Sequence, residues 1–160
     1  MPANFPVPRE QSVESVLASM VTTSAHVARA PVDEPASDTV GMVATWESTG
    51  QVAVVAFADH HAVNTVGAAI AGTDAESYAA TKDSGTVDAT SAAQFREFVA
   101  KLAACFNSPF TPEVTLRNVA DQPGTVDDDV HQLRGAAHAR RSFRITVDDV
   151  DEGAVTLYFA

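Results

Sequence analysis

Two groups of residues in this chain have types and spacing that could do chemistry. The first lies in SAAQFREFVAKLAACFNS, residues 91–108, and comprises Gln94, Glu97, Ala100 and Lys101. On a helix, Glu97 and position 100 stand one turn apart on the same side. A carboxylate and a carboxamide so placed can engage an incoming partner and hold a water in line for attack. Here the carboxylate is present, but position 100 is alanine, which offers no hydrogen bond. Gln94, one turn before Glu97, is the carboxamide nearest to hand. Asn107 is ten residues from Glu97, ~15 Å along the helix, and too far away. Taken alone, Glu97 reads as a solvated residue that pairs with Lys101.

The second group is Asp59-His60-His61. Adjacent histidines on a helix point about 100° apart and cannot share a metal without distortion. Asn64 is one turn from His60, but no cysteine or spaced histidine pair completes a site. Asp59 therefore reads as a helix cap with exposed histidines behind it, and no metal or cofactor is expected. Asp127-Asp128-Asp129 and the turn from Asp148 to Gly153 lack the alternating ligands and terminal glutamate of a calcium loop. There is no Gly-rich phosphate loop and no Gly-x-Ser-x-Gly elbow. Cys105 is the single cysteine and reads as a small buried side chain rather than a reactive thiol.

These residues need elements to hold them. The chain has 160 residues, enough for one domain with a core, and 46% of them are hydrophobic. A net charge of -11 repels phosphate backbones and anionic lipid, which argues against nucleic-acid and membrane-surface binding. No apolar run approaches the ~18 residues that would span a bilayer. One cysteine and no signal-like segment point to a cytoplasmic location.

Residues 1–9 hold three prolines and read as a flexible arm, and residues 10–160 as a single domain. Glu10–Val21 places Val13, Val16, Leu17, Met20 and Val21 on one face of a helix, which must dock on the domain or on a partner chain. Thr22–Asp38 is a connection with a short edge strand at His26–Ala30. Thr39–Glu47 and Gln51–Ala58 form a hairpin at the centre of a sheet, the second strand apolar on both faces. Asp59 caps a helix over His60–Ala71, with Gly72 as its stop.

Thr73–Ala89 is a polar loop with a short helix near Ala75–Ala80. The helix from Ser91 to Ser108 buries Phe95, Phe98, Val99, Leu102, Ala103 and Phe106, with Ser91 and Gln94 as a capping box. Glu113–Ala120 is a strand, Asp121–Gly135 a loop, and Ala137–Val147 with Ala154–Phe159 a terminal hairpin. The expected fold is α+β, a mostly antiparallel sheet of five or six strands with three helices.

From Val40 to Pro123 the chain resembles the CheC/CheX family of chemotaxis phosphatases, CheX in particular. The pattern is the hairpin GMVATWESTGQVAVVAFA, the alanine-rich helix HHAVNTVGAAIAG, a variable loop, and the Glu-bearing helix FREFVAKLAACFN. The family signature runs Asp or Ser, three residues, Glu, two residues, Asn, then about two dozen residues to Pro. Glu97 and Pro123 match it; Ala93 and Ala100 do not.

The resemblance implies that Glu97 contacts a lysine of a phosphorylated, CheY-like response regulator, with Lys101 and Ala100 beside it. The regulator would supply the metal, and the assembly would be a homodimer. In the family the Asn orients the attacking water. The expected function is therefore a CheX-like regulatory or binding domain of signal transduction, catalytically degenerate at Ala100. Two alternatives stay open: an active aspartyl-phosphate phosphatase using Glu97 with Gln94, and a non-enzymatic structural or dimerisation module.

Overall fold

Strand propensity dominates residues 40–59 and 139–159, and the four inner strands of the sheet are built from those two segments. The computed structural model describes residues 5–21, 25–30, 40–72, 87–120, 128–147 and 151–160. In chain order the elements are α1 (Glu10–Ala18), β1 (Ala25–Ala30), β2 (Val40–Ser48), β3 (Gln51–Asp59) and α2 (His60–Ala71). Then come α3 (Ala89–Phe106), β4 (Thr115–Ala120), α4 (Asp128–Ala136), β5 (Ala139–Val147) and β6 (Asp151–Phe159). The six strands lie in the order β1-β5-β6-β3-β2-β4, and each neighbouring pair is antiparallel. The fold is α+β, as the sequence pattern implies.

The two hairpins, β2–β3 and β5–β6, meet where β3 pairs with β6, so those two strands are central. Every residue from Ala53 to Ala58 is buried, which explains why β3 is apolar on both faces. Thr49 and Gly50 turn the β2–β3 hairpin at φ 53° and 79°. Positive φ at both central positions gives the turn a twist that matches its strands.

One sheet face carries the main core under α1, α2 and α3, with Met42, Ala44, Trp46, Val54, Ala56, Leu157 and Phe159 pointing into it. Aromatic edges lock it: Trp46 meets Phe106 at 5.0 Å between ring centroids, and Phe106 meets Phe159 at 5.8 Å. The opposite face has a smaller core of Val43, Val55, Phe57 and Tyr158, closed by Val130 of α4.

α4 falls where the sequence suggests a loop, and makes four described helices instead of three. Pro123-Gly124 and the acidic run give the loop signal. Asp128 and Asp129 instead occupy the helix's first turn and Arg134 its last, each favoured by the helix dipole. Val130 and Leu133, three apart, face the sheet.

α1 packs on its own domain. Val13 and Leu17 are buried in the main core, and the Glu14 carboxylate accepts a hydrogen bond from Val27 N at 2.9 Å. The helix ends at Ala18, before the expected Val21, because Met20 N closes back on Leu17 O in a tighter turn. Phe5 and Val7 pack half-buried against the main core. The expected short helix at 75–80, Pro123 and the turn at 148–150 lie outside the described residues. Among the described residues no helix is long and apolar enough to cross a membrane.

Candidate functional site

α3 is held at both ends and along one side, which fixes what its other side presents. Its buried stripe is Ser91, Ala92, Phe95, Phe98, Val99, Leu102 and Phe106. The N-cap is Asp88, not Ser91: the Asp88 carboxylate accepts from Ser91 N at 2.9 Å. Asp88 N in turn donates to Asn64 Oδ1 on α2 at 2.8 Å. Ser91 sits buried in the first turn, and Gly67 of α2 makes room for it, since a Cβ there would strike the Ser91 carbonyl. The expected Ser91–Gln94 capping box is thus replaced by Asp88, three residues upstream. Asp88 and Asn64 are positioning residues that the helical periodicity did not single out. Asp is a strong cap former, and that was the available signal.

At the other end, the Asn107 carboxamide donates to Ala103 O (2.9 Å) and Val114 O (3.2 Å), and accepts from Val114 N (2.7 Å). It ends α3 and ties it to the approach to β4.

The exposed side of α3 carries Ala93, Arg96, Glu97, Ala100, Lys101 and Ala104, while Gln94 is half-buried. At ~100° per residue, Ala93, Glu97, Ala100 and Ala104 form one narrow stripe, with Glu97 the single polar side chain in it. Glu97 and Lys101 form no ion pair among the described residues. An exposed pair of this kind gains little against the rotamer freedom it must surrender.

The carboxylate is therefore open to a donor on an approaching surface. Position 100 offers only a methyl. Gln94 flanks Glu97 from the other side, ~120° round the helix from Ala100, and does not replace an amide at position 100. The arrangement can hold a cationic or amide donor, and position 100 adds no second polar group beside Glu97 to orient a water.

The Asp59-His60-His61 group is organised differently. Asp59 Oδ1 accepts from Ala62 N at 2.7 Å, capping α2, and Oδ2 accepts from Ala154 N at 3.1 Å, tying α2 to β6. Burial pushes the Asp59 carboxyl above its ordinary value, against the lowering effect of those amides and of His61 and His60. The two imidazoles stack at 4.3 Å between centroids. Among the described residues no three metal-ligating side chains gather. Cys105 is half-buried, and burial pushes its thiol pKa up, which disfavours the thiolate.

No family model matches the chain, and no curated protein matches it in sequence. Its fold, however, occurs in solved structures. A chain of the FliG–FliM complex from H. pylori aligns with a TM-score of 0.64 at 8% identity, over 94% of this chain and 86% of that one. Thermotoga maritima FliY aligns at 0.58 and 13% identity, over 93% and 83%. A chain of the CheX–CheY complex from Borrelia burgdorferi aligns at only 0.44 and 11% identity, over 92% of both, too low to support the finer likeness to CheX. The chain shares its fold with FliM and FliY.

Proposed function

We propose that this chain is a non-catalytic protein-binding domain of signal transduction that engages a response regulator through the outer side of α3. Glu97 is the contact for a lysine on that partner, with Ala100 and Lys101 at the edge of the contact. The observation that carries this reading is the exposed, unpaired Glu97 with a methyl one turn beyond it. Small neighbours at 93, 100 and 104 let a partner surface come close to the carboxylate. Loss of one preorganised hydrogen-bond donor typically removes roughly 3 kcal/mol of transition-state stabilisation, about a hundredfold in rate. That ranks binding above aspartyl-phosphate hydrolysis by Glu97 with Gln94.

A phosphate-release assay with a phosphorylated CheY-like receiver tests the reading. The chain is expected to bind the receiver and leave its dephosphorylation at the spontaneous rate, and Glu97→Ala is expected to abolish binding. Acceleration by the wild type that disappears in Glu97→Ala contradicts the non-catalytic assignment. Ala100→Asn restores the missing amide, and a gain of hydrolysis in that variant supports the placement of Glu97 and Ala100 on the family signature.

A second reading is a structural module that assembles with other proteins or with its own copy. The likeness to a chain crystallised in a FliG–FliM complex favours it. Binding to a non-receiver partner that survives Glu97→Ala separates this reading from the first.

A further inference from the structure

We infer that α4 is a displaceable cover, and that the sheet face beneath it is a second docking face, one that takes an acidic amphipathic helix of a partner protein. That face holds Val43, Val55, Phe57 and Tyr158, each 1% exposed or less. The Phe57 and Tyr158 rings meet edge-on at 5.6 Å between centroids and form an aromatic floor. Among the described residues it is closed from above by Val130, Leu133 and Ala137, all on α4 or just after it.

The cover is slight for so apolar a floor. Of its nine residues α4 buries one, Val130. An isolated helix shorter than ~12–15 residues is marginal in water. Gly135, inside the last turn, weakens it further, and nothing lies within 4 Å of a Cβ built there. Tyr158 is fully buried and its hydroxyl has no hydrogen-bond partner, so α4 leaves one polar group of the floor unmet. The strands beneath are held independently. β3 pairs with β2 and β6, and their other face lies on the main core. α4 can therefore leave while the sheet stays folded.

Two arginines of the sheet define the occupant. Arg117 of β4 donates to the Asp129 carboxylate in the first turn of α4 at 2.9 Å. Arg140 of β5 lies over the Tyr158 ring, 5.7 Å from its centroid, and donates to Arg134 O in the last turn at 3.3 Å. The face thus grips a helix at both ends, by an acid at the start and a carbonyl at the finish. With α4 displaced, both guanidiniums stay beside an apolar floor. A helix with acids in its first turn and an apolar stripe complements all three features, and one longer than α4 buries more of the floor.

This inference does not rest on the response-regulator reading, because α3 and α4 lie on opposite faces of the sheet. Two measurements on the full chain test it. Native-state hydrogen exchange should show the α4 amides exchanging faster than those of β3 and β6, through an opening that leaves the sheet protected. Fluorescence anisotropy follows a labelled synthetic helix of about 16 residues, with aspartates in its first turn and leucines at i, i+3, i+4 and i+7. It should bind saturably, and lysines in place of the aspartates should abolish binding. Val130→Ala loosens the cover and should raise α4 exchange and tighten peptide binding, each about tenfold. Gly135→Ala stiffens the helix and should lower exchange and weaken binding, each about fourfold. α4 amides protected as strongly as those of β3 and β6 overturn the inference. So does a peptide that fails to bind Val130→Ala, binds regardless of its charge, or binds with an affinity that neither substitution changes.

Discussion

Glu97 and Asp59 show how differently two carboxylates are used on neighbouring helices. Glu97 stands in water, so Glu97→Ala should change unfolding free energy by no more than about 0.5 kcal/mol. Urea denaturation checks this, and a neutral result lets any binding defect be assigned to a lost contact. Asp59 is committed to two backbone amides and partly desolvated. Its raised pKa means that the folded chain keeps the proton to higher pH than the unfolded chain. Between the ordinary value of 3.8 and the raised one, this group's contribution therefore makes stability fall as pH rises. Asp59→Asn keeps a capping acceptor and removes the titration. The difference in urea stability between variant and wild type should shift in the variant's favour as pH rises through that window. The exposure of Glu97 and Ala100 was legible in the helical spacing. The cap was not, because Ser91 followed by Gln94 is a good local signal, and only the packing of Ser91 on Gly67 shows why Asp88 takes its place.

At the scale of elements, the position of α3 depends on how closely its start approaches α2. A Cβ at Gly67 would strike the Ser91 backbone, and one at Gly153 would strike the Ala62 backbone. Gly67→Ala should therefore destabilise the fold by about 1–3 kcal/mol, read as a lower urea midpoint. It should also weaken partner binding, because it shifts the helix that carries Glu97. The sequence does not name the neighbour of Gly67, since the contact spans the interval between two helices. The strands were legible in the sequence, β2, β4, β5 and β6 from alternation and β3 from being apolar on both faces, and an edge strand was expected at His26–Ala30, where β1 lies. α4 was not: its nine residues contribute one buried side chain, Val130. Its place is set by the apolar sheet face of Phe57 and Tyr158 that it covers, which no local pattern reveals.

Across the whole molecule, one six-stranded sheet carries a large core under three helices and a small one under the fourth. Among the α3 side chains buried on the sheet is Phe106, whose ring meets Trp46 and Phe159. Phe106→Ala should cost about 3–5 kcal/mol, a large share of the roughly 5–15 kcal/mol that stabilises a typical domain. Calorimetry should then show a strongly lowered Tm. This rigid mounting is what makes the outer side of α3 a fixed surface. The most direct test is an amide chemical-shift map of the labelled chain titrated with an activated CheY-like receiver. Saturable shifts should cluster at Ala93, Glu97, Ala100, Lys101 and Ala104, and vanish in Glu97→Ala. An absence of shifts, or shifts confined to residues away from α3, would contradict the assignment of that helix as the binding surface.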